Sequence, residues 1–237
     1  MLSVFLPIGW PNPKKFAKLC KIAVENGAGA LELGIPYSDP VADGPVLQAA
    51  YREALAEGSS TARCLEGIES VAGLDVPLNL LVYANLVHAR RGLAPGGFCD
   101  EAKKAGAHSL LVPDVPLEEC GELREATLNA GLQYVSLVGP LTSRERLGRI
   151  ARTVTGYLYV AGVQGITGNA QDPGLDIVRS AVATERPVYV GFGIRTRAQV
   201  EAVLGAGAAS AIVGSALVEV GHDEKRFGRM VAELAGR

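Results

Sequence analysis

The sequence predicts an α/β fold, namely a (β/α)8 TIM barrel that forms one domain over residues 1–237. Eight short apolar runs, rich in Val, Leu, Ile or Tyr, are each too short to be a helix. Amphipathic stretches with the helical period separate these runs. Eight strand–helix repeats in 237 residues favour a barrel, which typically takes about 250 residues. An open doubly wound sheet is the alternative, and it matches this number of repeats less well.

The predicted strands are apolar on both faces, as strands that are covered on both sides should be. Stretches rich in Pro and Gly, at 34–45, 92–97 and 162–174, are predicted to be loops within the repeating pattern, because no linker divides the chain. The predicted strands cover 2–8, 29–34, 78–83, 108–113, 133–138, 156–161, 187–191 and 209–213.

The helices are predicted from apolar stripes of period 3.6 and from the residues that end them. In the first helix, Phe16, Leu19 and Ala23 lie on one stripe, and Gly27 ends the helix. Ser143 is predicted to cap the helix that follows the fifth strand. The predicted helices cover 13–26, 46–57, 61–72, 97–105, 117–130, 144–153, 174–183, 196–204 and 223–234.

Charge and cysteine usage exclude several classes of partner. The net charge is -2 and the isoelectric point is about 6.0, so the chain has no overall attraction for nucleic acid or for an anionic membrane. The four cysteines lie far apart and form no CxxC pair, which argues against disulfides and zinc and favours a reducing cytoplasm. No apolar run approaches the roughly 18 residues of a membrane span.

Carboxylates mark the second predicted strand and the loop after it. Glu32 lies within the strand, and Asp39 and Asp43 lie in the loop. In a barrel of this type the active site lies at the carboxyl ends of the strands. Burying Glu32 in an apolar strand is costly, and a catalytic acid/base role is one candidate explanation. A structural carboxylate at Glu32 and a simple turn residue at Asp43 are the alternatives.

The positions of the lysines and histidines argue against two kinds of catalytic chemistry. All seven lysines lie in helical patterns and none stands at a strand end, which argues against a Schiff-base aldolase. The three histidines, His88, His108 and His222, are scattered, so no metal site is predicted. Carboxylate acid/base chemistry is what remains.

Glycines follow the last two predicted strands. Gly191, Phe192 and Gly193 follow the seventh strand, and Gly214 and Ser215 follow the eighth. Their backbone N–H groups could approach a phosphate, and a short helix that starts at Ser215 would point its amino end at the anion. The loop at 167–168 could close over the same group. Tight turns alone would also explain the glycines, but the pattern favours a phosphorylated ligand.

Six segments together resemble the tryptophan synthase alpha chain family, in order and at nearly the family's spacing. They are LELGIPYSDPVADGPVLQ (31–48), LLVYANLV (80–87), LLVPDVPLEE (110–119), GITG (165–168), VGFGIRT (190–196) and AIVGSALV (211–218). The resemblance implies reversible retro-aldol cleavage of indole-3-glycerol phosphate to indole and glyceraldehyde 3-phosphate, in tryptophan biosynthesis. It implies no cofactor in this chain. It also implies a beta-chain partner that holds pyridoxal phosphate, in an assembly of two alpha and two beta chains.

The resemblance also assigns roles to individual residues. Glu32 would shuttle protons between the indole ring and the glycerol hydroxyl, and Asp43 would accept the indole N–H. Thr167 and Gly168 would belong to a mobile lid. The residues implied to line the indole pocket are Phe5, Leu81, Tyr83, Leu111 and Tyr159. Those implied to hold phosphate are Gly168, Phe192, Gly193, Gly214 and Ser215, and those implied to dock the beta chain are Pro36, Asp39 and Pro40.

Two other functions stay open at this point. The chain could be a stand-alone lyase that releases free indole. It could also be a catalytically weak regulatory partner of the beta chain that binds a phosphorylated ligand. Activity of the isolated chain, with and without a beta chain, separates these functions from that of a catalytic subunit.

Overall fold

The eight strands close into a parallel barrel in the computed structural model, which describes residues 1–89, 95–161, 173–191 and 193–237. The first strand pairs with both the second and the eighth, so the barrel fold is confirmed and the open sheet is wrong. The strands are β1 (Leu2–Pro7), β2 (Ala28–Gly34), β3 (Leu78–Leu81), β4 (Ser109–Leu111), β5 (Gln133–Val138), β6 (Leu158–Val160), β7 (Val188–Val190) and β8 (Ser210–Val213). All eight predicted runs contain a strand, and several strands are shorter than their runs.

Helices connect the strands, as the amphipathic stretches predict. Each predicted helix is present, with ends that differ by a few residues. The helices in the described ranges are α1 (Pro13–Glu25), α2 (Pro45–Ala56), α3 (Thr61–Val71), α4 (Ala84–His88), α5 (Pro95–Ala105), α6 (Gly121–Asn129), α7 (Arg144–Thr153), α8 (Asp176–Val182), α9 (Arg197–Gly205), α10 (Ser215–Val218) and α11 (Glu224–Ala235). None of these helices is both long and apolar enough to cross a lipid bilayer.

Two short helices bear on the site. The α10 helix begins at Ser215, where the sequence predicts it. The α4 helix, in contrast, is not predicted, and it begins at Ala84, directly after the predicted third strand (78–83). Tyr83 therefore stands after β3 as the residue that precedes α4, with extended backbone angles. This position lets its side chain reach the loop that follows β2.

Local capping explains where several helices start. Asn12, Ser60 and Ser143 each accept a hydrogen bond from the backbone N–H three residues on, which satisfies a donor that has no partner inside the helix. Thr196 and Gln199 form a reciprocal capping box at the start of α9. The cap predicted at Ser143 is confirmed.

The barrel interior mixes apolar with polar side chains. Phe5, Glu32, Asn79 and Ser109 are register partners across the first four strands and form one row. Ser3 and Ser210 hydrogen-bond at 2.7 Å where β1 meets β8. The backbone N–H of Ala211 also donates to Met1 O at 3.0 Å across this junction. The interior is thus a packed core with a small set of polar groups, one of which is the predicted catalytic glutamate.

Candidate active site

Glu32 is fully enclosed on β2. Its exposed fraction is 1%, and neither carboxyl oxygen has a hydrogen-bond partner among the described residues. Burial raises the pKa of Glu32 well above its usual range, and the nearby charge of Asp43 raises it further. A carboxyl group whose protonated form is favoured in this way can deliver a proton to a bound molecule.

Asp43 is positioned by the turn before α2 and by a tyrosine. Its backbone N–H donates to Pro40 O at 3.0 Å, and its carbonyl oxygen accepts from Gln48 Nε2 at 2.8 Å. The hydroxyl of Tyr83 donates to Asp43 Oδ2 at 2.6 Å, while the N–H of Ala42 donates to the same tyrosine oxygen at 3.1 Å. The loop after β2 and Tyr83, which precedes α4, thus position the carboxylate together.

Burial also raises the pKa of Asp43, to about 6, although the hydrogen bond from Tyr83 opposes the rise. The two carboxyl groups therefore differ in a useful way. Burial and the charge of Asp43 favour the protonated form of Glu32, whereas Asp43, with a pKa of about 6, is ionised at neutral pH and can accept a hydrogen bond from a cationic ring nitrogen. This division suits one proton carrier and one cation stabiliser at the same barrel mouth.

The remaining predicted pocket residues lie on two sides of the barrel, with Phe5, Leu81 and Leu111 on one side and Tyr159 on the other. Leu81 is the register partner of both Gly34 and Leu111, and the ring of Phe5 approaches Gly34 from β1. On the far side of the barrel, the Tyr159 side chain packs against Gly191. All the pocket residues predicted from the resemblance are buried, namely Phe5, Leu81, Tyr83, Leu111 and Tyr159.

The glycine-rich end of the site is described only in part. Gly193 has a φ of +83°, a left-handed conformation that glycine adopts without strain. Gly214 immediately precedes α10, beside Phe5, and Ser215 is half-buried at the first position of that helix. The predicted residues Thr167, Gly168 and Phe192 lie outside the described residues.

The loop predicted to dock a beta chain has a mixed surface. Asp39 is exposed, but Pro36 and Pro40 are buried within this chain. The exposed apolar residue of the loop is Val41, which is 81% accessible and was not predicted. Leu141, which is 99% accessible, lies after β5 and so on the same face of the barrel. The prolines are buried parts of this loop, Val41 is its accessible apolar side chain, and Leu141 is exposed on a different loop of the same face.

Two buried polar residues near the carboxylates also went unpredicted. Tyr51 on α2 directs its hydroxyl towards Gly34, and Asn79 on β3 lies beside Glu32 in register. Each has a buried polar atom without a hydrogen-bond partner in the described ranges. Asn79 could have been recognised from the sequence, since it is a polar residue in an otherwise apolar predicted strand.

The close packing at Gly34 gives a testable consequence. A Cβ atom at this position would lie 2.6 Å from Cζ of Phe5 and would also meet the Tyr51 hydroxyl. Both side chains are buried, so we expect Gly34→Ala to lower the free energy of unfolding by about 1–3 kcal/mol. Urea denaturation measures this loss. Gly121→Ala, where a Cβ meets nothing within 4 Å, serves as the control. Equal stability of the two variants would contradict the packing described here.

Comparison with known proteins gives one consistent result. The family model described as "Tryptophan synthase alpha chain" matches residues 1–235. The tryptophan synthase alpha chain of Prochlorococcus marinus (strain MIT 9313) is 43% identical over 223 residues, which are 92% of this chain and 80% of the relative. That of Shewanella baltica (strain OS155) is 38% identical over 233 residues, 94% of this chain and 84% of the relative.

The structural comparison agrees. A chain of the tryptophan synthase a2b2 complex from Pyrococcus furiosus superposes with a TM-score of 0.91 at 31% identity, and the match covers 100% of this chain and 98% of that one. A mutant tryptophan synthase alpha-subunit from the same organism superposes with a TM-score of 0.90 at 30% identity, with the same coverage. Similarity thus extends over the whole barrel.

Proposed function

Because the chain belongs to the tryptophan synthase alpha chain family, we propose that it cleaves indole-3-glycerol phosphate to indole and glyceraldehyde 3-phosphate, as a lyase of tryptophan biosynthesis. The observation that carries this proposal is the pair of buried carboxyl groups at the barrel mouth. Burial favours the protonated form of Glu32, and Asp43, whose pKa is raised to about 6, is held by a hydrogen bond from Tyr83. Residues 1–237 would act as one catalytic domain.

The reaction assigns a step to each carboxyl group. Glu32 donates its proton to C3 of the indole ring, which leaves positive charge on the ring nitrogen. Asp43 accepts the N–H of that nitrogen and stabilises the charge. The Glu32 carboxylate then takes the proton of the glycerol hydroxyl next to the ring. The carbon–carbon bond breaks, its electron pair returns to the ring, and the new carbonyl becomes the aldehyde, so Glu32 ends as it began.

The shape of the barrel mouth supports this substrate. Apolar side chains of β1, β3, β4 and β6 offer a slot for the indole ring, and we assign Phe5, Leu81, Leu111 and Tyr159 to it. At the other end of the mouth we assign the phosphate to backbone N–H groups of Gly193 and Gly214 and to the Ser215 hydroxyl. By resemblance to the family, we assign Thr167 and Gly168 to a lid, and Gly168 and Phe192 to the phosphate site.

We also propose that the chain works with a tryptophan synthase beta chain in an assembly of two alpha and two beta chains. The structural similarity to a chain of the tryptophan synthase a2b2 complex from Pyrococcus furiosus supports such a partner. Val41, on the loop after β2, and Leu141, after β5, are exposed apolar side chains on the face of the barrel that the partner would cover. Asp39 lies exposed on the same loop, while Pro36 and Pro40 hold its shape from within. Pyridoxal phosphate would then belong to the partner.

The setting proposed for this chemistry is the cytoplasm. All four cysteines, Cys20, Cys64, Cys99 and Cys120, are free and buried. Free thiols of this kind fit a reducing compartment.

Indole release from indole-3-glycerol phosphate tests the proposed function. We expect the isolated chain to release indole slowly and to release it at least about tenfold faster when a beta chain is added. Coupling between two sites is typically about 1–3 kcal/mol, and about 1.4 kcal/mol corresponds to a factor of ten. High activity without a partner would favour the stand-alone lyase. Absence of cleavage even with the beta chain would contradict the enzyme proposal and favour a regulatory partner.

A further inference from the structure

Asn79 lies directly beside the proton carrier. The Cα atoms of Glu32 and Asn79 are register partners in β2 and β3. Side chains of register partners in neighbouring parallel strands project from the same face of the sheet. The amide group of Asn79 and the carboxyl group of Glu32 therefore share one surface.

That surface is the barrel interior. Ser109 continues the row on β4, and its hydroxyl donates to Asn79 Oδ1 at 2.8 Å. Burial and the charge of Glu32 raise the pKa of Tyr157, the residue before β6, and Ser109 opposes this rise, so these side chains lie near one another. Because β5 stands between β4 and β6, Ser109 and Tyr157 meet through the interior of the barrel. Asn79, which is bonded to Ser109, faces the same space.

The hydrogen bond from Ser109 also orients the amide of Asn79. With Oδ1 engaged, the amide presents its NH2 donor group to the rest of the row. Asn79 is 2% exposed and its Nδ2 has no acceptor in the described part of the chain, just as the Glu32 oxygens have no donor there. A buried donor and a buried acceptor side by side in one row are complementary, because each lacks the partner that the other supplies.

We propose that Asn79 is a positioning residue for Glu32, whose amide N–H donates to the carboxylate that remains after Glu32 has given its proton to the indole ring. Asn79 transfers no proton itself. Its hydrogen bond favours the ionised form of Glu32 and fixes the orientation of the carboxylate for the return step. This inference rests on the proposed function.

Other groups that face Glu32 act differently. The charge of Asp43, on the loop before α2, disfavours ionisation of Glu32. Four tyrosines also interact with the charge of Glu32, and they lie on α2, in β6 or directly before it, and on β7. Burial raises the pKa values of their hydroxyl groups, so these groups keep their own protons. The four tyrosines are Tyr51, Tyr157, Tyr159 and Tyr189. Asn79 is the uncharged amide donor adjacent to Glu32 on the neighbouring strand.

The test measures the pKa of Glu32 directly in Asn79→Leu, a variant of similar size without the amide. Side-chain carboxyl carbons of ¹³C-glutamate-labelled chain are titrated by NMR without substrate, and the Glu32 signal is identified by its loss in Glu32→Gln. A hydrogen bond to a charged group predicts that the pKa of Glu32 rises by about one to two pH units in Asn79→Leu. With indole-3-glycerol phosphate, we expect kcat to fall about tenfold or more while KM changes little.

Ser210→Ala is the matched control. It removes the buried hydrogen bond between Ser3 and Ser210 and the hydrogen bond from Ser210 to Met1 O, and Ser210 is not a member of the row that contains Glu32. We expect it to lower thermal stability and to leave the pKa of Glu32 unchanged. If Asn79→Leu does not fold, Asn79→Val, with its higher strand preference, is titrated in its place.

The two proposals fail separately. An unchanged pKa of Glu32 in a folded Asn79 variant overturns the positioning role, whether or not the wild-type chain cleaves the substrate. A wild-type chain that releases no indole with its partner overturns the proposed function, and the titration still decides whether Asn79 acts on Glu32.

Discussion

Replacing Glu32 by glutamine lowers kcat for indole release by about 10²–10⁴-fold, the range that a positioned general acid/base contributes. Glutamine has nearly the same shape but can neither deliver a proton to the indole ring nor accept one from the glycerol hydroxyl. KM should change little, because the substitution leaves unchanged both the apolar slot for the indole ring and the residues assigned to the phosphate. Steady-state kinetics with a saturating beta chain measure both constants.

Glu57→Gln is the control for this result. Glu57 is exposed after α2, and the same chemical change there should leave kcat within about twofold, as surface substitutions usually do. A Glu32→Gln variant that is as active as Glu57→Gln would exclude Glu32 as the proton carrier. Glu32 would then be only a buried structural residue.

Replacing Asp43 by asparagine lowers kcat by about 10²–10³-fold, which is the usual effect of removing one electrostatic stabiliser of a transition state. Asparagine can still accept the Tyr83 hydrogen bond, so the loop should keep its shape. What is lost is the negative charge opposite the indole nitrogen. Asp75→Asn, an exposed and remote change of the same kind, serves as the control in the same assay.

The pH dependence separates the role of Asp43 from that of a turn residue. Its pKa of about 6 predicts that wild-type kcat falls as the pH drops through that value, because the protonated group no longer stabilises a cation. This part of the profile should be missing in Asp43→Asn. A profile that is unchanged by the substitution would show that Asp43 does not carry the charge.

The contribution of Asp43 to the free energy of unfolding should change with pH in the opposite sense to kcat. The native state binds the Asp43 proton more tightly than the unfolded chain, whose Asp has a pKa of 3.8, so this residue favours folding at low pH. That contribution is lost as the pH rises through about 6 and amounts to about 3 kcal/mol. We therefore expect Asp43→Asn to be more stable than wild type at pH 7, with the difference shrinking towards pH 4. Urea denaturation at both pH values measures it.

Local sequence pattern was sufficient to predict the barrel. Each strand is an apolar run bounded by turn residues, and these signals extend over only a few neighbours along the chain. The two carboxyl groups were also predictable, because the segment at 31–48 is highly specific. The roles of Glu32 and Asp43 nevertheless stay predictions until the variants are measured.

Contacts between residues that are far apart in the chain could not be predicted from local sequence pattern. The hydrogen bond between Tyr83 and Asp43 joins residues that are 40 positions apart, and the register that places Asn79 beside Glu32 is set by how two strands pair. Similarly, the burial of Pro36 and Pro40 depends on how the loop folds back onto the barrel. Such features arise from the closed sheet and not from any one segment.

The junction between β1 and β8 also has a consequence during synthesis on the ribosome. Both flanks of β1 are paired only after residues 210–213 have left the exit tunnel, although β1 is made first. Until then a nascent chain presents the unpaired edge of a hydrophobic strand, which is a known route to aggregation. The high contact order of this closure predicts slow final folding and makes premature termination especially damaging.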